Sequence, residues 1–391
     1  MGGFRLGRLF GVRIDLDWSL FIIIWLVTVS LAAGTFPAWH PDWSPGLRWG
    51  VALVAALLFF GSVLLHELSH ALVGRAFGMN IHNITLFIFG GVANLEREPE
   101  TPRAEFLMAI VGPLVSIGLG VLFMLIGAWL AEGPAADPTD PTGLMRGLGP
   151  GATLLFWLGP INLLVGVFNL LPGFPLDGGR VLRAFLWRVT GDLERATLWA
   201  ARAGQLLGML LVFTGIAMAF GADIPFFGTG IVTGVWLGFI GWFLASAAAA
   251  SYRQLVASHL LAGIPVRRLM RPDVDAVTPG LPLVRFVDEH LMRSDQRAFP
   301  VLESGHLVGL VCLEDVRKVP RTAWQDAQVG DVMTPGAALA VVTPDEPIDE
   351  AMRALGRRDV EQLPVVSDGR LVGVLRRRDI FRWLELQTPP V

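Results

Sequence analysis

The sequence predicts a polytopic α-helical membrane protein of about six spans, with a small membrane-associated β-hairpin, followed by a soluble α/β domain. Three observations predict it. Of the 391 residues, 53% are hydrophobic and 17% charged, and the mean hydropathy is +0.56. That is a membrane composition diluted by something soluble. Apolar runs of bilayer length recur up to about residue 250. Beyond residue 263 the chain turns polar and repeats itself. The formal charge of −3 argues against nucleic acid as a partner. The lone Cys312 excludes an internal disulfide and a Cys-based zinc site, so any metal must be held by His and carboxylate.

Residues 1–17 carry Arg5, Arg8 and Arg13 and lead into a first apolar run, Trp18 to Ala33. A signal peptide is the competing reading. The run is long for one and is flanked by Asp15 and Asp17, so it reads as a first span that stays in the protein. A Pro-, Trp- and Asp-rich loop, 34–48, precedes a second span over 49–78.

Near the end of that span stands His66-Glu67-Leu68-Ser69-His70, an H-E-x-x-H pattern. Positions i and i+4 share one helix face, so both imidazoles can bind one Zn²⁺. Glu67 follows the first His and can serve a water as general base. Ionisable groups inside an apolar span are costly, which weights the pattern toward function. The bland reading is two interfacial histidines with Glu67 reaching water.

Ile84 to Ala93 is rich in β-branched and aromatic residues and is interrupted by Gly90-Gly91, so it reads as a strand or hairpin near the membrane. A short re-entrant loop is the alternative. Residues 96–105 are polar. A third span follows over about 106–131, with Gly112-Pro113-Leu114-Val115-Ser116 inside it. After a loop at 132–150, a fourth span of about 152–171 ends in Asn169-Leu-Leu-Pro-Gly-Phe-Pro-Leu-Asp177-Gly-Gly-Arg180. Its prolines and glycines must end or unwind the helix. Inside a membrane that is tolerated only in a protein-lined or wet cavity. An amphipathic segment, 180–197, and spans at about 198–220 and 229–250 complete the membrane part.

With the N-terminus inside, the inner segments 1–17, 75–105 and 173–202 hold 11 Arg and the outer loops two. The positive-inside rule then puts both termini in the cytoplasm. It also brings the H-E-x-x-H pattern and the Asp177 stretch to the same depth.

These residues resemble the site-2 protease family of intramembrane zinc metalloproteases. The resemblance rests on HELSH, on GPLVS and on NLLPGFPLDGGR, and covers about residues 1–200. It implies that His66, His70 and Asp177 ligate one Zn²⁺, that Glu67 activates the water, and that Asn169 stands near the site to steady the oxyanion. The family often has Asn where this chain has Ser116. The strand at 84–93 resembles the family's membrane-embedded β-loop. Three protein ligands leave a fourth zinc position open, as catalysis requires. A substrate helix must unwind before attack, and a strand edge carrying Phe87, Ile88, Gly90 and Gly91 can hold the unwound segment by strand addition. The implied substrates are membrane-anchored signalling proteins, and the implied site is the inner membrane, with lipid all round.

After a helical connector at 251–263 come two copies of one unit. Val266 to Pro272 matches Val329 to Pro335, and Phe299-Pro-Val matches Leu363-Pro-Val. The units, 264–320 and 328–388 within a domain of 264–391, resemble a pair of CBS domains. The resemblance implies adenine nucleotide between the copies, with Asp315 and Asp379 contacting ribose. The Ser or Thr usual three residues earlier is Cys312 in one copy and Arg376 in the other. A module for homodimerisation or substrate docking, without ligand, is the alternative. For the whole chain, the expectation is an intramembrane zinc endopeptidase over 1–250, regulated by its tail. A CBS-regulated transporter or channel is the runner-up. A transporter gives no reason for a third ligand at the depth of the H-E-x-x-H, and no internal repeat of spans is visible.

Overall fold

The computed structural model describes residues 3–88, 90–95, 99–131, 145–225, 227–261, 263–294 and 296–387. Parts of the expected polar stretch 96–105 and loop 132–150, and the end of the second repeat, lie outside the described residues. The chain divides into two compact units, Met1–Arg253 and Gln254–Val391.

The first unit is a multi-pass membrane protein. Among the described residues, six helices are long and apolar enough to cross a bilayer: Trp18–Trp39, Pro45–Ala76, Pro102–Leu130, Pro150–Asn169, Leu193–Ala219 and Ile231–Ala257. Within the first, a regular helix α1 (Trp18–Ser30) passes into a π-helical turn, Leu31–Thr35, which carries Gly34 without breaking the run. The other long helices are α2 (Pro45–Ala76), α3 (Pro102–Leu130), α4 (Pro150–Asn169), α6 (Leu193–Ala219) and α7 (Ile231–Leu261). A shorter helix, α5 (Asp177–Thr190), lies between α4 and α6.

Most spans begin earlier than their apolar runs suggest, because the first turn is built from caps. Ser44 caps α2 with Pro45 at its start, Thr101 caps α3 with Pro102, and Asp192 caps α6. Proline fits a first helical position because the amide hydrogen it lacks has no partner there anyway. The loop expected at 34–48 therefore shrinks to a few residues around His40.

The N-terminal segment is not the simple basic tail the sequence suggested. It forms β1 (Gly3–Leu9) and β2 (Val12–Asp17). The expected strand stretch resolves into β3 (Ile81–Phe87) and β4 (Gly90–Leu95). The four make one sheet in the order β1-β2-β3-β4, with β2 and β3 parallel and the outer pairs antiparallel. Val12, Ile14, Ile81, Ile84 and Leu86 point to one face and bury themselves against Leu20 of α1 and Phe60, Leu68 and Ala71 of α2. The sheet thus rests on the helix that carries HELSH.

The second unit holds β5 (Ala298–Glu303), β6 (His306–Cys312), a two-residue β7 (Thr334–Pro335), β8 (Gln362–Ser367) and β9 (Arg370–Arg376). Its sheet order is β5-β6-β9-β8, with β7 on β6. Helices α8 (Leu313–Arg317) and α10 (Arg377–Gln387) follow the two hairpins, and α9 (Ile348–Arg358) precedes the second. The copies share backbone detail. Ser304-Gly305 and Asp368-Gly369 both take positive φ at two successive residues, as a tight two-residue hairpin needs. Two cores form, one around Phe286 and Phe299 that also takes Val329 from the second copy, the other around Ile348 and Leu363 that also takes Ile264 and Val266 from the first.

Candidate metal centre

Helix α2 places His66 and His70 one turn apart, with ring centroids 4.8 Å apart and nearly perpendicular. Their Nε2 atoms are 3.2 Å apart. The chain then returns through α3 and α4, whose end unwinds at Leu170 to Leu176. Turn hydrogen bonds such as Gly173 N–H to the Leu171 carbonyl (2.8 Å) close this segment. The Phe174 N–H donates to the Ala200 carbonyl of α6 (3.2 Å), so a neighbouring span satisfies part of the freed backbone. Asp177 opens α5. Its Oδ2 lies 3.1 Å from His66 Nε2 and 3.3 Å from His70 Nε2.

One helix supplies the histidines' second partners. His70 Nδ1 donates to the Met108 carbonyl at 2.6 Å, and His66 Nδ1 pairs with Ser116 Oγ at 2.9 Å. Both partners belong to α3. A histidine that gives its Nδ1 hydrogen to a carbonyl presents a lone pair at Nε2. With His70 so oriented and the Ser116 hydroxyl able to accept from His66 Nδ1, the two Nε2 atoms and the carboxylate oxygen they face make a donor set for a cation. Tetrahedral zinc with Zn–N near 2.0–2.1 Å needs ligand atoms about 3.3 Å apart. The observed 3.1, 3.2 and 3.3 Å match it.

Gly112 stands on α3 between Met108 and Ser116. A Cβ there would come within 2.2 Å of His70 Nε2 and 2.8 Å of His66 Nε2. The missing side chain is the space in which the ligand atoms meet. The sequence marked the GPLVS stretch without a role for it. Gly112 provides the room and Ser116 the partner, and neither role has a local signal, because both are defined by a helix about 40 residues away.

Glu67 lies against the sheet. A Cβ on Gly91 would meet Glu67 Cγ at 2.4 Å and Cδ at 3.0 Å. Strand β4 therefore passes directly beside the Glu67 side chain, and only glycine permits the approach. Because β3 is flanked by β2 and β4, Phe87 is not on an edge. Ile88 sits in the turn, where its N–H donates to Ser19 Oγ at 3.1 Å. The four residues expected on one strand edge therefore do not share one: Gly90 and Gly91 lie on β4, an outer strand of the sheet, while Phe87 lies on inner β3 and Ile88 in the turn. Asn169 closes α4, and its Nδ2 donates to the Val165 carbonyl of the same helix at 3.0 Å. That donor is used within its own helix, not turned to the three ligands.

A model of peptidase family M50 matches residues 54–150 and 145–215, and a CBS domain model matches 266–321 and 329–386. The chain is 33% identical over 383 residues to Rip3 of Mycobacterium tuberculosis, covering 97% of this chain and 92% of that one. It is 32% identical over 384 residues to sll0528 of Synechocystis, covering 97% and 95%. It is 28% identical over 382 residues to MJ0392 of Methanocaldococcus jannaschii, covering 98% and 96%. All three are named as zinc metalloproteases. The chain belongs to peptidase family M50.

This M50 protein is thus a site-2-protease-type zinc metalloprotease with a tandem CBS domain, and the transporter alternative loses its ground. HELSH falls in the first matched segment and Asp177 in the second.

In the CBS pair, the two carboxylates already have partners. Asp315 Oδ1 accepts from Lys318 Nζ at 2.8 Å, and its Oδ2 accepts from the Cys312 N–H at 3.0 Å. Burial raises the Cys312 thiol pKa, while Asp315 holds that of Lys318 up. Asp379 receives Arg376 Nε at 2.6 Å and Arg271 Nε at 3.1 Å. Burial works to raise its pKa, but hydrogen bonds from the two guanidinium groups outweigh burial and hold the carboxyl below its ordinary value.

Gly112→Ala pushes a methyl group into the imidazole ends. We expect folded protein with zinc content well below that of the parent, measured by metal analysis after gel filtration. An alanine variant with undiminished zinc would show that the ligand atoms meet elsewhere.

Proposed function

We propose that this protein is an intramembrane endopeptidase that cleaves transmembrane segments of membrane-anchored signalling proteins at a site built by His66, His70, Asp177 and Glu67. The observation that carries the proposal is the meeting of two ligand atoms from a span-length helix with one from Asp177, with Glu67 beside the outer strand β4.

Bound by His66 Nε2, His70 Nε2 and an Asp177 oxygen, zinc would supply a Lewis acid for the scissile carbonyl and lower the pKa of the attacking water to about 7. The chain's residues do the rest. The Glu67 carboxylate takes the proton from the water and returns it to the leaving amide nitrogen. The β4 edge, Gly90 to Leu95, receives the unwound substrate as an added strand, so the peptide enters extended and its carbonyl is held near Glu67. Asn169 steadies the oxyanion once its amide leaves the Val165 carbonyl. The 11-to-2 Arg asymmetry supports an inner-membrane protein with both termini in the cytoplasm.

The CBS pair is the regulatory element, with adenine nucleotide as its ligand and a second copy of the chain as its partner. A nucleotide ribose must displace Arg376 and Arg271 to reach Asp379, so nucleotide affinity is set by that exchange.

Glu67→Gln keeps size and hydrogen bonding but takes no proton. We expect it to retain zinc and lose cleavage of a membrane substrate by about 10²–10⁴-fold. Wild-type cleavage by this variant would remove Glu67 from the chemistry. Zinc retained in a His66→Ala/His70→Ala double variant would remove the metal assignment.

Neighbouring residues of a strand point their N–H groups to opposite sides. Proline at Val92 and, separately, at Ala93 therefore removes one inward and one outward donor of β4. The outward change is expected to weaken cleavage while zinc stays bound. Unchanged cleavage by both variants would exclude β4 as the docking edge.

Titrating ATP, ADP and AMP against the full chain by calorimetry tests the tail. We expect at least one of the three to bind more tightly than millimolar and Arg376→Ser, which frees Asp379 and restores a hydroxyl, to tighten it at least about tenfold; millimolar or weaker binding of all three would leave the tail a docking or dimerisation module. Affinity unmoved by Arg376→Ser and by Asp379→Ala would place any nucleotide away from this cleft.

A further inference from the structure

Four residues of α3 lie at spacings of three, four and four: Glu105, Met108, Gly112 and Ser116. Such spacing lines one helix face. All four are buried. Three of them serve the histidines directly, as a carbonyl acceptor, an open space and a hydroxyl partner. Glu105 serves another helix. It is fully buried and pairs with Arg183 of α5, itself only 5% exposed. Arg183 Nε donates to Glu105 Oε1 at 2.5 Å, and a terminal guanidinium nitrogen contacts the same oxygen. Arg180, one turn earlier on α5, has its Nε 3.9 Å from Glu105 Oε1. The Arg183 guanidinium also stands over the Phe174 ring, 5.3 Å from its centroid.

Helix α5 is the one that Asp177 opens, and Phe174 belongs to the unwound segment leading into it. Arg183 therefore holds both sides of Asp177: the helix that follows it and the loop that precedes it. We propose that Glu105 and Arg183 are positioning residues for the third metal ligand. They lock α5 to the same α3 face that orients His66 and His70, so a single helix face sets all three ligand atoms. This rests on the metal-site reading above and extends it to a residue pair outside the ligands.

A buried ion pair is a poor device for stability, because well-packed apolar residues of similar volume do as well, whereas removing one partner leaves a costly lone charge. What the pair offers instead is direction. The guanidinium is a rigid planar fork, and a carboxylate accepts it in a narrow range of geometries. Ligands need placement within a few tenths of an ångström, which a greasy contact between α3 and α5 does not supply.

That difference separates positioning from mere support. The full-length protein in detergent would be prepared as Glu105→Gln, Arg183→Lys and the double variant Glu105→Leu/Arg183→Met. Zinc affinity would be measured by chelator competition, stability by thermal unfolding with and without zinc, and cleavage by kcat and KM separately. We expect Arg183→Lys, which keeps the charge and loses the fork, to unfold near the parent temperature without zinc and to bind zinc about 10–100-fold more weakly, the range for partners that orient metal ligands. Glu105→Gln should weaken zinc similarly and be the least stable. The double variant should regain the zinc-free unfolding temperature while zinc affinity stays low and kcat falls more than KM rises. Parent-like zinc affinity in Arg183→Lys or in the double variant would overturn the proposal. The His66→Ala/His70→Ala protein serves as control. If it keeps zinc, the metal-site reading fails. If it loses zinc while the Glu105 and Arg183 variants keep it, only the positioning role fails.

Discussion

Two imidazoles and two carboxylates stand within an apolar helix bundle, where water is not on hand to solvate them and every polar atom needs a protein partner or an ion. The structure meets that demand by turning one face of α3 toward α2. The Met108 carbonyl and the Ser116 hydroxyl take the outer nitrogens, and Gly112 leaves the inner ones room to converge. Other features follow from this contact. Helix α4 must carry the chain to the same depth, and it must unwind there to bring in Asp177. The unwound backbone needs the Ala200 carbonyl of a further span to accept from it.

The sheet is the second half of the arrangement. Its apolar face is buried on α2 around Leu68, between the two histidines in sequence. The residues that dock the sheet and the two histidines proposed to bind metal therefore alternate on one helix. The distance from β4 to Glu67 is then set by helix geometry, and Gly91 makes the approach close enough to matter. A substrate held along β4, as proposed, would gain backbone hydrogen bonds in place of those it loses on unwinding from its own helix, offsetting part of the cost of unwinding.

Much of this was legible in the sequence, and the limits have physical reasons. HELSH is a local pattern whose meaning comes from helix periodicity, and the Asp177 stretch announces itself by proline and glycine where an apolar run should continue. Span number followed from hydropathy, but span starts did not, because the capping turns are polar. Strands β1 and β2 went unread although Val12, Ile14 and Leu16 alternate with Arg13, Asp15 and Asp17, since three arginines before a span look like a topological signal. The choice of edge strand depended on the parallel pairing of β2 with β3, across two spans and about 70 residues, and no local pattern encodes it. The Met108 contact uses a backbone carbonyl and was invisible in side-chain chemistry. In the CBS pair, Arg376 was read as a departure from the expected hydroxyl, and the structure shows it closing on Asp379.

The parallel β2–β3 contact carries a consequence for biogenesis. Strand β2 emerges before the first span and β3 only after the second, so their register (Arg13 opposite Asn83 through Leu16 opposite Leu86) forms once both spans have crossed and returned to the same side. Until then β3 and β4 lack the neighbour that completes the sheet, and Glu67 has no ordered strand beside it. A newly synthesised chain therefore completes this sheet late, after its own first two spans are inserted. Closure of the sheet is thus tied to the order in which the chain is threaded, with its N-terminal strand waiting for a segment made two spans later.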